Sequence, residues 1–200
     1  MSKASWINVN PASGNGNKEV SVSAIAYTGR LARTSVLTFT APNCDAIERV
    51  VNQAGKPEST NFNDSTAAAP KEGKTVTIPG ISNSAKLTFT LGSGNLDIEL
   101  PAQYLANSVS TDNGAAILGD PGAAAEYAFS IAIVVPANET INTLSRQIVV
   151  SDESGNQSVC TITVAEGDPY LTVQEGDINL DYTGAAKSIA VSSNTTWTIS

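Results

Sequence analysis

A pattern that occurs whole once and split once limits what this chain can fold into. The segment Arg146-Gln-Ile-Val-Val150, the turn Ser154-Gly155-Asn156, the run Val159-Cys-Thr-Ile-Thr-Val164 and the close Gly167-Asp-Pro169 echo an earlier stretch. That stretch is Arg33-Thr-Ser-Val-Leu-Thr-Phe39, a turn around Asn43, and Val50-Val-Asn-Gln-Ala-Gly55-Lys-Pro57. The beginnings repeat as well, Gly73-Lys-Thr-Val-Thr-Ile78…Ser82-Asn83 against Gly184-Ala-Ala-Lys187-Ser-Ile-Ala-Val191-Ser-Ser193-Asn194. Residues 58–168 therefore carry a complete unit, residues 1–57 the back half of one, and residues 169–200 the front half of another. Two half-units have to find partners, which points to assembly.

The local chemistry predicts an all-β chain. Short β-branched runs such as Val20 to Ala26, Lys74 to Ile78, Lys86 to Leu91 and Tyr127 to Val135 are punctuated by Gly, Asn, Asp and Pro. That spacing fits antiparallel sandwich strands, in two Ig-like sandwiches of which one is split between the two ends. Only Asp120 to Ala128, and less strongly Asp45 to Val51, have helical character, and both are too short to alter the class. Ser13-Gly-Asn-Gly16 and Leu91-Gly-Ser-Gly94 read as hairpin turns and not as phosphate-binding loops, because neither opens a helix.

Charge and residue inventory narrow the function. A net charge of −8 offers no basic face to a phosphate backbone or an anionic lipid surface, so neither nucleic acid nor membrane is expected as a partner. No apolar run reaches the length of a membrane span, and Met1 to Trp6 lacks the apolar core of a secretory signal. The chain has no histidine, which removes the usual general base and the Ser-His triad, and two cysteines alone cannot close a zinc site. Cys160 reads as a buried free thiol in a strand, and Cys44 lies near a turn. No catalytic residue and no cofactor is expected.

Carboxylates are the remaining candidates for acid/base work: Asp97, Glu99, Asp112, Asp120 and Glu126. Asp97 and Glu99 alternate with Leu96, Ile98 and Leu100, the pattern of a half-buried strand with a wet acidic face. Asp120-Pro-Gly122 and Asp152-Glu-Ser-Gly155 have turn chemistry. Asp112, Asp120 and Asp152 make a calcium site only if their loops converge, since calcium takes six or more oxygens. The triplets beginning at Asn63, Asn138, Asn156 and Asn194 match the glycosylation acceptor and serve equally as turn-forming Asn. Trp6, close to Val9, and Trp197, beside Ile199, are the large aromatics with functional promise. Exposed, they would be platforms for sugar rings; beside alternating apolar residues, core or interface anchoring is expected.

At Ser192-Ser-Asn-Thr-Thr-Trp197 the chain resembles BACON domains, in which a valine-rich strand ends in Ser-Asn-x-x-Trp. Joined to the front of the chain the resemblance lengthens: Ser193-Asn194…Trp197, then Trp6, Pro11-x-Ser13-Gly14, Val20-Ser-Val-Ser23, Arg33 and the closing Gln53-Ala-Gly55. The middle unit resembles the family more loosely, with Ala85-Lys86 where the tryptophan would fall and Ala165-Glu166 in place of the closing glutamine. The family implies an Ig-like β-sandwich found in Bacteroidetes proteins, often beside carbohydrate-active enzymes, and in crAss-like bacteriophages. It implies either a non-enzymatic virion component, an auxiliary capsid or head-decoration protein touching copies of itself and a major capsid protein, or a carbohydrate-binding module of a secreted protein. The first setting implies assembly in the host cytoplasm and the second a cell-surface or periplasmic location. In an odd-stranded antiparallel sandwich the chain enters and leaves at opposite poles, so Pro57 and Pro169 are expected a domain length apart. Closure of the split sandwich between subunits is then favoured over closure within one chain, with Trp6 and Trp197 brought together as anchors.

Overall fold

The computed structural model describes residues 3–200, and its regular structure is all β apart from one 3₁₀ turn, Pro121–Ala123. Nine strands of the middle segment form a sandwich: β5 (Thr60–Phe62), β6 (Thr66–Ala69), β7 (Lys74–Ser82), β8 (Thr88–Gly94), β9 (Gln103–Ala106), β10 (Val109–Asp112), β11 (Tyr127–Val135), β12 (Leu144–Ser151) and β13 (Gln157–Val164). One sheet has the order β10-β9-β11-β7-β5 and the other β6-β13-β12-β8. All ladders are antiparallel except β6 with β13.

Alternation accounts for the layers. In β11 the residues Tyr127, Phe129, Ile131, Ile133 and Val135 face inward, opposite Val76 and Ile78 of β7 and Ile148, Val150, Cys160, Ile162 and Val164 of the second sheet. Phe62, Phe89, Phe129 and Tyr104 pack with ring centroids 4.8–6.3 Å apart, the offset and edge-on geometry that ring quadrupoles favour. Burial pushes the Tyr104 hydroxyl up to about 12. The first strand switches sheets because of Pro79. Its carbonyl still accepts from Asn63 N–H at 3.0 Å, but it has no N–H to extend the β5 ladder, and the chain crosses to β6. Gly80 lets the Phe129 ring lie across the strand, since a Cβ there would stand 2.2 Å from its Cζ.

Outside this sandwich the chain forms three separate hairpins. Residues 7–53 hold β1 (Ile7–Asn10) paired with β2 (Ser21–Ala24), and β3 (Arg33–Phe39) paired with β4 (Ile47–Gln53). The C-terminal segment holds β14 (Leu171–Val173) paired with β15 (Val191–Ser193). Among the described residues no ladder joins these pairs to one another or to the sandwich, so every strand in them has one free edge.

Several local expectations are corrected. Residues 45–51 lie largely in β4, and residues 120–128 hold only the 3₁₀ turn before β11 begins, because β-branched and aromatic residues follow at once. Leu91 to Gly94 is the end of β8, not a hairpin turn; Gly94 adopts φ 141° where the ladder to β12 slips between Arg146 and Ile148. Ser13 to Gly16 does lie in the β1–β2 connection, with Gly16 at φ 70°. Leu96 and Ile98 are buried and Asp97 and Glu99 exposed, but this stretch pairs in no ladder. Cys160 is buried and free, and Cys44 is exposed and free.

Candidate functional site

A set of hydrogen bonds recurs along the chain at a constant spacing. Asn83 is fully buried; Ser59 N–H donates to its Oδ1 at 2.8 Å, and its amide nitrogen faces the carbonyls of Lys56, Pro57 and Thr28 at 3.2–3.4 Å. Asn194 repeats this arrangement. Tyr170 N–H donates to its Oδ1 at 3.0 Å, and its amide nitrogen donates to the carbonyls of Asp168 and Glu139 at 2.9 and 2.8 Å. The paired positions Asn83 and Asn194, Ser59 and Tyr170, Pro57 and Asp168, and Thr28 and Glu139 each differ by 111. The same offset relates Lys56 N–H to the Gly29 carbonyl with Gly167 N–H to that of Thr140, and Ser82 Oγ to the Ser59 carbonyl with Ser193 Oγ to that of Tyr170. It also carries the β5–β7 register onto β14–β15 and the β3–β4 register onto β12–β13.

One detail of the sequence alignment changes. The offset matches Arg33 with Leu144, so Arg146 is displaced two places from the arginine it echoes. A two-residue slip keeps a side chain on the same face. Both guanidiniums still hold carbonyls, Arg33 that of Ile25 and Arg146 those of Leu96 and Gly92.

Two joints result, at opposite poles of the sandwich. At the pole where Ser82 pairs with Tyr127, Arg30 holds both carboxylate oxygens of Asp120 at 2.8–2.9 Å, Lys56 pairs with Glu126, and Tyr27 Oη donates to the Ala123 carbonyl at 3.1 Å. At the pole where Lys74 pairs with Val135, Lys71 pairs with Asp168 beside the Asn194 joint. The nine residues of β7 between these poles span about 26 Å at the usual strand rise.

Glu58 lies in the connection at the first pole. Its Oε2 accepts from Ser154 Oγ, and its buried Oε1 faces Arg30 Nε at 4.0 Å. Burial opposes its charge, but the hydroxyls of Ser154 and Ser84 and the Arg30 guanidinium outweigh it and hold the carboxyl below its ordinary 4.5. A depressed pKa gives stability that is present above the unfolded value and lost as pH falls through the folded one. Protection of the amides in residues 56–60, measured against their intrinsic exchange rates, is therefore expected to fall as pH drops through and below the ordinary carboxylate range, and Glu58→Gln should abolish that dependence. An unchanged exchange profile in the variant would refute the assignment.

Beyond the first joint the two N-terminal hairpins form an open half-sandwich. Ile7 and Leu37 are buried, and a groove of about 620 Å³ lined by Val9, Pro11, Val20, Leu37 and Phe39 lies open between them. Trp6 stacks on the Arg33 guanidinium at 4.5 Å, and the Tyr27 ring lies 4.2 Å from the same guanidinium. Gln53 locks the stack, accepting from Arg33 Nε and donating to the Ile25 carbonyl, both at 2.9 Å. Trp6 is thus half-buried at one end of the molecule; Trp197, 45% exposed, lies in the segment anchored at the other pole. Within one chain they share no sheet.

The carboxylates do not converge. Asp97 and Glu99 line a shallow groove with Pro101 and Val134, Asp112 accepts from Gln103, Asp120 and Glu126 belong to the joint, and Asp152 caps its own hairpin through Asn156. Among the described residues no group of three His, Cys, Asp or Glu is placed to hold a metal ion. Sequence reasoning gave Asn83 no role beyond its match to Asn194 and did not pair Asp120 with Arg30; the recurrence of Ser-Asn at a spacing of 111 was the signal for the first, and nothing local marks the pair.

Comparison with known proteins finds a family match in the N-terminal segment. Residues 1–54 match the BACON family, described as a putative binding domain, N-terminal. No curated protein matches the chain. Among solved structures, an endo-fucoidan hydrolase of glycoside hydrolase family 107 is similar with a TM-score of 0.31 and 10% identity, over 83% of this chain and 22% of that one. The Trp6–Arg33–Gln53 cluster and the half-sandwich around it thus lie in the segment that is similar to the BACON family, residues 1–54.

Proposed function

We propose that this chain is a non-enzymatic binding and assembly protein built as a tandem array of Ig-like sandwiches. The observation that carries the reading is the reuse of one joint at a spacing of 111, at both poles of the complete sandwich. An array in which each unit grips the next through a buried or half-buried asparagine is a spacer and a scaffold. The dispersal of the carboxylates and the lack of histidine support the absence of hydrolysis.

In its finer form the reading places the array on a phage virion, as an auxiliary capsid or head-decoration protein against a major capsid protein. Its support is the family resemblance and the scaffold-like build. Mass analysis of purified virions tests this part, and absence of the chain from particles would remove it.

A carbohydrate-binding module, at a cell surface or in the periplasm, is the second reading, favoured by the half-exposed Trp197 ring and by the binding-domain description of the matching family. Trp6 is a poorer sugar platform, because Arg33 already covers one face of its ring. A screen against a broad set of glycans is expected to show no release of reducing ends and binding weaker than about 1 mM, or about −4 kcal/mol. Tight binding that is lost in Trp197→Ala, with the thermal transition unchanged, would put the carbohydrate-binding reading first.

A further inference from the structure

We propose that the chain assembles head to tail, residues 169–200 of one copy completing the sandwich begun by residues 1–57 of the next. The inference names the partner in the assembly reading above and rests on it.

The spacing of 111 supplies the register. In the complete sandwich β11 pairs with β7 so that Ile131 opposes Ile78, and β13 pairs with β6 so that Ile162 opposes Ala67 and Val164 opposes Ala69. Transferred by the offset, residues 19–24, which include β2, receive residues 185–190 of the neighbouring copy, with Val20 opposite Ile189. The parallel pair becomes β4 with residues 177–180, with Val51 opposite Ile178 and Gln53 opposite Leu180. Both receiving edges are free among the described residues, where β2 pairs only with β1, and β4 only with β3.

Burial marks the same surfaces. Val20 and Val22 are 39% and 43% exposed, whereas their counterparts Ile131 and Ile133 are at most 1%. On the donor side Ile189 and Leu180 are 38% and 60% exposed, against 2% and 4% for Ile78 and Ala69. Each half thus presents to solvent the side chains that the complete unit buries, and each presents the set the other lacks. Lys187 and Arg49 stand where Val76 and Cys160 are buried; both lie near strand ends, where a long stem reaches solvent.

Geometry selects a second copy over the same chain. The two halves are anchored about 26 Å apart on opposite poles, and closing on themselves would require the Asn194 joint to open. A neighbouring copy meets the donor half with that joint intact. The composite then repeats the middle unit, and the contact, being heterologous, continues as an open filament or closes as a ring.

Light scattering of the full chain from about 1 to about 100 µM is expected to show mass rising with concentration. Two full-length variants sharpen the test: Val22→Asp with Phe39→Asp spoils the receiving face, and Leu180→Asp with Ile189→Asp spoils the donor segment. Each alone is expected to be monomeric, while their mixture forms a discrete 1:1 dimer, because one intact face survives on each. Near-ultraviolet dichroism from the Phe89–Tyr104 cluster reports that the middle sandwich is folded in both. Should a variant lose that signal, the chains Val20→Cys and Ile189→Cys, both in a Cys44→Ser background so that the new thiol accompanies only the buried Cys160, replace it, with a cross-link expected only on mixing. A wild-type monomer throughout the range, oligomers that persist in either variant, or a mixture that forms neither dimer nor cross-link would overturn the proposal. None of these outcomes bears on the glycan screen, so the two readings fail separately.

Discussion

Phe89→Ala is expected to destabilise the protein by about 3–5 kcal/mol, enough to unfold much of the population of a domain of ordinary stability. Phe89 is 2% exposed and sits at the centre of the aromatic cluster, 4.8 Å from Tyr104, 5.9 Å from Phe129 and 6.3 Å from Phe62. Its backbone is fixed on both sides by Asn113, whose Oδ1 accepts from Phe89 N–H at 2.8 Å and whose amide donates to the Phe89 carbonyl at 3.0 Å. Surrounding strands cannot collapse into the hole, because the two sheets are held apart by Ile131, Ile133, Ile148 and Ile162. Phe39→Ala removes the same ring from a position 43% exposed in the open groove, and at high dilution it should cost no more than about 0.5–1 kcal/mol. Urea unfolding of the two variants measures the difference, and equal losses would mean that residues 1–57 already own a closed core.

Asn83→Ala is the second large effect, about 3 kcal/mol. The side chain is fully buried, and its loss strands the Ser59 N–H and the carbonyls it serves in the connection, Lys56, Pro57 and Thr28. A buried polar group left without a partner costs about 1–3 kcal/mol, and water reaches this site poorly because Gly122 closes it, a Cβ there standing 2.1 Å from the Asn83 carbonyl. The equivalent Asn194→Ala, at a half-exposed position, should cost about 1 kcal/mol in the dilute chain, since water replaces the amide. Hydrogen exchange of the Ser59 and Tyr170 amides separates the two joints. Equal acceleration in both variants would contradict the burial difference.

The class of the fold was legible in the sequence because its signals are local. Val76 and Ile78 in β7, and Phe129, Ile131 and Ile133 in β11, alternate with polar or small residues, and period-2 alternation needs no tertiary knowledge to be read. The turns at Asn43, φ 59°, and Gly155, φ 85°, were legible for the same reason. Residues 120–128 misled because Asp-Pro-Gly followed by three alanines is helix-start chemistry, and only the pairing of Tyr127 with Ser82 turns the chain into a strand. Leu91 to Gly94 misled because glycines that would suit a turn instead serve a bulge against β12.

By itself the sequence determined the repeat, the strand alternation and the chemistry it lacks, since each is a matter of residue type and spacing along the chain. Which residues join the units was decided only in three dimensions. Arg30 meets Asp120 across 90 positions and Asn83 meets Thr28 across 55, and no short-range pattern encodes such pairs. The tertiary structure also decided that the two half-units stand at opposite poles with their apolar faces in solvent, because that depends on where each strand enters its sheet. A periodicity argument names the buried face of a strand, but what covers that face is set by the partner the fold brings to it.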